Sequence, residues 1–471
     1  MSNSSLLLIE PRLKPPIHPG FRPASLGNAN FHSAVKNSGK GVPLVLALER
    51  TDGARSVYRT EIFPPSSPHW PDSIRFAERT VKFLLWQKGG ATLTIGGPSE
   101  LGAYFKQAYS PDGVRAFDAG LMSQIYEREF SVISTTPENI PPANEPTKKR
   151  GRHLGGCRIG FDAGASDRKV AAVINGKAVY SEEVIWHPKD QNDPQYHFDG
   201  IMSAMKSAAA HMPRVDAIGV STAGVIVNNR IMVASLFRGV SKELFENRVK
   251  GLYQEIQKAW NGIPLEVAND GDVTALAGSM DLNDGAVLGI AMGSSEAAGY
   301  ISPDGTMTDW LSELAFGPVD YDPEAPMDEW SRDIGVGSQY FSQQAAIRLA
   351  TMAGLPINPA LTPAEKLKAI QDAMDSGDKR AADIFTCIGI YLGYAIPHYA
   401  EFYDFRHMLI LGRVTSGKGG ELVIANAKKV INSEFPEISR HISFDLPEEE
   451  AGRRVGQAIA AASLPETEKI Q

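Results

Sequence analysis

From residue 157 onward the chain repeats one pattern five times: an apolar run that ends in a polar or glycine-bearing loop. CRIGFDAGASDRKVAAVI reads as strand, glycine turn and strand, and VDAIGVSTAGVI as a strand running into small residues. IPLEVANDGDVTALAGSM reads as strand, polar corner and helix; AVLGIAMGSSEAAGYI as strand, small-residue turn and strand; HMLILGRVTSGKGGELVIANAKKVI as strand, glycine loop and helix. Short apolar runs bounded by turn signals fit buried strands. In open α/β sheets, ligands gather at such strand ends. No short-period repeat is present, which excludes solenoids and propellers.

The 471 residues are too many for one ordinary domain and suggest two or three. A formal net charge of -8 argues against a nucleic-acid coat or an anionic-membrane binder. Cys157 and Cys387 are the only cysteines, far apart and outside any CxxC pair. That argues against disulfide scaffolding and points to a reducing cytoplasm. No apolar run reaches the length of a membrane span, and MSNSSLLLIEPRLKPP lacks the basic start of a signal peptide.

Ahead of the repeated pattern, residues 1–42 are rich in Pro, Gly, Ser and Asn and read as an extended arm. Residues 43–137 read as a small α/β region of unknown role. In it, TDGA is a hairpin turn between two β-rich runs, SIRFAERTVKFLLWQK and SELGAYFKQAY have helical spacing, and ATLTIGG is a strand. Residues 138–156 combine prolines with the basic cluster KKRGRH. That cluster is the one place to suspect phosphate or nucleic-acid contact, and a solvated linker is the preferred reading.

Three loops carry chemistry. In FDAGAS, Asp162 ends a buried strand and is followed by Gly164 and Ser166. Small residues let backbone N–H groups approach phosphate oxygens, a hydroxyl can donate to phosphate, and a carboxylate can hold a hydrated magnesium ion. Taken alone, a tight hairpin that needs glycine explains this hexapeptide better. MGSSEAAG, with Gly293, Ser294 and Ser295, is a second turn of the same kind. Between them, Asn269, Asp270 and Asp272 cluster at a strand end before a helix. An aspartate there can accept a hydroxyl proton during phosphoryl transfer, or simply cap the helix. Capping is the preferred reading for Asp272.

The order of these segments over roughly residues 157–463 resembles the ROK family of sugar kinases and related repressors, within the actin-like ATPase superfamily. FDAGAS resembles its first phosphate motif, GVSTAGVI its PGP-type segment, VANDGDVTALAG its NDA-type segment and MGSSEAAGYI its second phosphate loop. LSELAFG resembles its GEIGH-type segment and LILGRVTSGKGGEL its adenosine segment. The resemblance implies a two-lobed actin-like ATPase (ribonuclease H-like) α/β fold, with the small N-terminal α/β region added. The lobes would span 157–280 and 281–450, and a C-terminal helix in 451–471 would return to the first lobe. It implies Asp270 as catalytic base and Asn269, Asp270 and Glu313 as sugar contacts. Asp162, Gly164, Ser166, Gly293, Ser294, Ser295 and Gly412 would serve ATP, with Asp162 organising Mg2+ through water.

The departures from the family bear on function. The family's structural zinc is held by three cysteines and a histidine; here Phe316 stands at the histidine, the cysteine cluster is missing, and no zinc site is expected. Ser338 stands where a second sugar-binding Glu is usual. Asp322, Glu324, Asp328 and Glu329 make the neighbouring insert acidic, which reads as a solvated loop. Glu296 follows the altered second phosphate loop, where a carboxylate beside a triphosphate is unfavourable unless it points away or binds the metal. Arg413 replaces a second glycine of the adenosine segment. The expectation is an ATP-dependent kinase for a sugar or sugar-like polyol, other than a standard glucokinase, with Phe316 packing against a substituent that glucose lacks. The competing readings are a non-catalytic sugar or nucleotide sensor on the same fold and an actin-type assembly protein, for which no specific sign is present. A homodimer is left open.

Overall fold

The computed structural model describes residues 5–145, 150–164, 167–445 and 450–467. In the N-terminal part, β1 (Val42–Glu49), β2 (Arg55–Ile62), β3 (Thr92–Gly96) and β4 (Ser131–Thr135) form one sheet in the order β2-β1-β3-β4. The TDGA segment makes the β1–β2 turn, with Gly53 at φ 81°. Residues Ala24–Ser38, expected within an extended arm, form a helix instead. Its composition disguises a periodic stripe: Ala24, Asn28, Phe31 and Val35 are all buried on one face, Pro23 starts it, and left-handed Gly39 ends it. Residues ahead of it run along the second lobe, where the Leu13 N–H donates to the Tyr394 hydroxyl at 3.2 Å.

The Trp70–Lys88 helix is buried on nearly every side from Phe76 to Gln87. Its charged positions at Glu78, Arg79 and Lys82 survive burial because they are paired. Glu78, Arg79 and Lys82 meet Arg115, Asp118 and Asp333 in a network of three anions and three cations. Arg79 and Arg115 each reach Asp333 at 2.9 Å, and Lys82 reaches Asp118 at 2.9 Å. Burial alone would raise the Asp333 carboxyl, yet Arg79, Lys82 and Arg115 hold it far below the usual carboxylate range. Asp333 belongs to the acidic insert, so the insert is docked rather than a solvated loop. Its Asp320 and Asp328 are buried as well. Asp320 accepts from the Tyr340 hydroxyl at 2.6 Å, and Asp328 from the Ser331 N–H at 2.7 Å. Glu324 and Glu329 remain exposed.

In the first lobe, β5 (Cys157–Ala163), β6 (Asp167–Ile174) and β7 (Lys177–Ile185) form an antiparallel meander. β8 (Ala217–Thr222) lies parallel to β5, a short hairpin follows as β9 (Val225–Val227) and β10 (Arg230–Val233), and β11 (Leu265–Asn269) lies parallel to β8. The strand order is β11-β8-β5-β6-β7. The Glu450–Ala462 helix lies across this sheet so closely that a Cβ at Gly160 would stand 1.9 Å from the Ala458 carbonyl oxygen. In the second lobe, β12 (Val287–Met292), β13 (Glu296–Ile301), β14 (His407–Leu411) and β15 (Ser443–Asp445) take the order β13-β12-β14-β15. The Lys379–Ala400 and Lys418–Glu434 helices cover it, and Gly389 and Gly393 let them approach. This is the two-lobed actin-like architecture, joined by the Asp270–Asp281 helix, which packs Leu276 and Val273 into a core shared with Val287, Ile301 and Leu409.

The basic stretch after residue 149 is pinned, not solvated. Arg150 pairs with Glu266 at 2.9 Å and Asp309 at 2.7 Å, and Arg152 donates to the Ser279 and Asp284 carbonyls. Lys148 and Lys149 lie outside the described residues. No helix among the described residues is long and apolar enough to cross a membrane.

Candidate functional site

The parallel strands β5, β8 and β11 end on one edge of their sheet, and the β12–β13 turn and the loop after β14 share one edge of the other. At the β11 end, Asn269 caps the following helix: its Oδ1 accepts from the Gly271 N–H at 2.7 Å and its Nδ2 donates to the Gly224 carbonyl at 2.8 Å. Asp272, expected to be the cap, is instead buried against the second lobe and accepts from the Tyr300 N–H at 3.2 Å. The sequence offered several capping side chains in a row, and the first one took the role.

Asp270 is the first residue of that helix and is half-buried between the lobes. Gly271 and Gly299 permit this placement, since a Cβ at Gly271 would sit 2.4 Å from the Ala298 carbonyl oxygen. Burial, aided by the charge of Asp162, pushes the Asp270 carboxyl up to about 6 against the Gly271 N–H that it accepts. Glu313 is half-buried just before a 3-10 turn, and its backbone N–H donates to the Trp86 carbonyl at 2.9 Å. Burial, and then Asp270, raises Glu313 to about 7.

Asp162 is buried at the end of β5, where its Oδ1 accepts from the Ser221 hydroxyl at 2.7 Å and Lys169 stands 3.6 Å from its Oδ2. Burial raises its pKa despite Ser221 and Lys169. A Cβ at Gly164 would stand 2.6 Å from the Asp167 carbonyl oxygen. Ser166 lies outside the described residues. Across the cleft, the Gly293 N–H donates to the Ser295 carbonyl at 3.0 Å, and Ser294 and Ser295 are exposed at the turn. Gly412, at φ 100°, lies against the end of β12, where a Cβ would stand 2.4 Å from the Met292 carbonyl oxygen. The chain thus brings Gly412 beside Gly293.

The ROK hexokinase of Thermus thermophilus has the same architecture: TM-score 0.51 at 15% sequence identity, over 65% of this chain and 97% of that one. The two lobes have the ROK hexokinase fold. A Streptomyces griseus ROK glucokinase in complex with glucose and AMPPNP is also similar (20% identity, 65% and 99% of the two chains, TM-score 0.48). So is a ROK transcriptional regulator homologous to the E. coli MLC protein (19%, 66% and 79%, TM-score 0.49). No protein-family model and no curated protein matches this chain.

On this ROK fold, Phe316 lies where the sequence did not put it, and Glu296 takes the first of its two expected alternatives. Phe316 faces away from the cleft into the N-terminal core, with its ring 4.3 Å from Trp86, 5.8 Å from Phe117 and 5.5 Å from Trp330. It cannot pack against a substrate there. Ser338 is buried, with its hydroxyl donating to Asp328 at 3.1 Å. Glu296 points away from the phosphate turn: it is 3% exposed, takes a long 3.4 Å hydrogen bond from the Tyr399 hydroxyl, and rests on the backbone of Gly337. Its other oxygen, Oε2, is buried without a hydrogen-bond partner among the described residues. Burial, and then Glu313, raises Glu296 to about 8 despite Tyr399.

Beside Asn269 lies a cavity of about 60 Å³ walled by Arg50, Arg150, Asp272, Asp309 and Trp310. That volume is smaller than a sugar ring. Arg50 comes from the N-terminal region, and Trp310 is held between Tyr300 and Lys88. Neither carried a sequence signal, because each acts only through a neighbour distant in the chain.

Proposed function

We propose that the protein transfers the terminal phosphoryl group of ATP to a hydroxyl of a sugar or sugar-like polyol. The observation that carries this reading is Asp270: a carboxylate at the junction of two ROK hexokinase-type lobes, placed by a helix start, with its pKa raised toward neutrality. A base is most effective when its pKa lies near the working pH. Asp270 accepts the proton of the attacking hydroxyl. Glu313 accepts hydrogen bonds from the ring, and Asn269 offers its one Nδ2 hydrogen left after Gly224.

The backbone around Gly164 and Gly293 lines the phosphates, with the Ser294 and Ser295 hydroxyls beside it and Gly412 behind for the nucleoside. Among the described residues no group of three or more side chains could hold a metal ion. The single carboxylate Asp162 therefore fits a magnesium ion held mostly by phosphates and water, which when bound neutralises phosphate charge. Closing of the lobes excludes water from the reacting oxygens. The test is ADP release with ATP, magnesium and a panel of sugars, amino sugars and cyclitols. ADP release that depends on one of these acceptors supports the reading. Absence of acceptor-dependent ADP release across the panel, with sugar binding retained, favours the sensor.

A further inference from the structure

The N-terminal region reaches both lobes. On the second lobe, Arg79 and Arg115 each pair with Asp333 at 2.9 Å. On the first, Glu127 pairs with Arg230 at 2.5 Å and with Lys250 at 3.1 Å, and the Gln124 side-chain amide donates to the Met232 carbonyl at 3.3 Å. Val225 and Met232 of the first lobe and Leu311 of the second pack into the N-terminal core. These contacts hold the turn between β1 and β2 at the cavity beside Asn269, where Arg50, Thr51 and Asp52 form part of the wall.

The other charged side chains on that wall are already engaged. Arg50 pairs with Glu145 at 2.7 Å, Arg150 pairs with Glu266 and Asp309, and Asp272 accepts from the Tyr300 N–H. Asn269 spends its oxygen on the Gly271 N–H and one amide hydrogen on the Gly224 carbonyl. Asp52 is different. Its Oδ1 accepts from the Ala54 N–H at 3.0 Å and so shapes the turn, while its Oδ2 has no partner among the described residues. The residue is exposed at the cavity wall.

A ligand rich in hydroxyls needs acceptors, and a carboxylate only accepts. Its charge-assisted hydrogen bonds are about twice as strong as neutral ones. We infer that Asp52 is a specificity-determining residue of the acceptor site, receiving a hydrogen bond from an acceptor hydroxyl through Oδ2. The cavity is smaller than a sugar ring, so it receives a hydroxyl-bearing edge of the acceptor, and the N-terminal region is the wall which that edge meets. This rests on the sugar-kinase reading for the class of ligand, but binding can be measured without catalysis.

Asp52→Asn isolates the free oxygen. The amide oxygen can still accept from Ala54, and only Oδ2 is exchanged for a donor. Calorimetry on the full chain would compare the wild type and this variant, using the tightest-binding sugar or cyclitol of the panel and its monodeoxy analogues. Affinity for the parent acceptor is expected to fall at least fivefold in Asp52→Asn, with ATP affinity changed less than twofold. At least one monodeoxy analogue, lacking the hydroxyl that meets Asp52, is expected to bind both proteins equally within twofold. A smaller loss for the parent acceptor overturns the inference. So does an equal loss for the parent and every monodeoxy analogue, which would mark a disturbed turn instead of a lost contact. Weaker acceptor binding in Asp52→Asn, with no ADP release by the wild type, sustains the inference and removes the kinase reading; acceptor-dependent ADP release with acceptor affinity unchanged in the variant does the reverse.

Discussion

Replacing Glu296 with Gln should change how stability depends on pH. The side chain is 3% exposed, and burial raises its carboxyl from the ordinary 4.5 to about 8. A shift of that size sets about 4–5 kcal/mol against the ionised form in the folded state. Because the folded pKa is raised, the folded protein binds the proton more tightly than the unfolded chain. The stabilisation is fully present below about 4.5 and is lost as pH rises toward 8. The Gln variant cannot ionise there, and whatever its amide gains or loses in hydrogen bonds is the same at every pH. Urea unfolding of both proteins at pH 5 and pH 9 isolates the term. The wild type should lose about 3–5 kcal/mol more than the variant between these pH values. Identical pH dependence in the two proteins would refute the placement of Glu296 in a buried, unpaired environment.

Asp333→Asn, which leaves Arg79 and Arg115 short of an anion, should destabilise by about 3–5 kcal/mol in denaturant titration. Phe316→Ala should cost about 3–5 kcal/mol of stability, with KM for the acceptor changed less than threefold, because the ring packs on Trp86 and not on substrate. Gly412→Ala forces a Cβ against Met292 at a left-handed φ, so KM for ATP should rise at least tenfold in steady-state kinetics.

The lobes were legible because buried strands are written as unbroken apolar runs, and their ends carry the small residues that FDAGAS and MGSSEAAG display. The corner Asn269-Asp270 was legible for the same reason, since a strand, a polar pair and a helix follow in succession. What stayed hidden depends on partners far away in the chain. The acidic insert looks solvated until Arg79, Lys82 and Arg115 are brought to Asp333. Phe316 looks like a pocket residue until Trp86 arrives beside it. The Ala24–Ser38 helix hides its stripe among Asn, Gly and Ser, residues that compositional reading assigns to loops. The direction of Glu296 is a matter of strand register, since a one-residue slip along β13 would reverse its face.

The central claim is that Asp270 removes the proton from the acceptor hydroxyl. Its most direct measurement is single-turnover ADP formation by the wild type and by Asp270→Asn with the best acceptor of the panel, across pH 5 to 9. The wild-type rate should fall as pH drops through about 6, where the raised Asp270 carboxyl takes up its proton and can no longer act as base. The Asn variant should be slower by at least about a hundredfold at neutral pH, with acceptor affinity changed far less. A variant that forms ADP within a few fold of the wild-type rate, with the acid limb intact, would contradict the account.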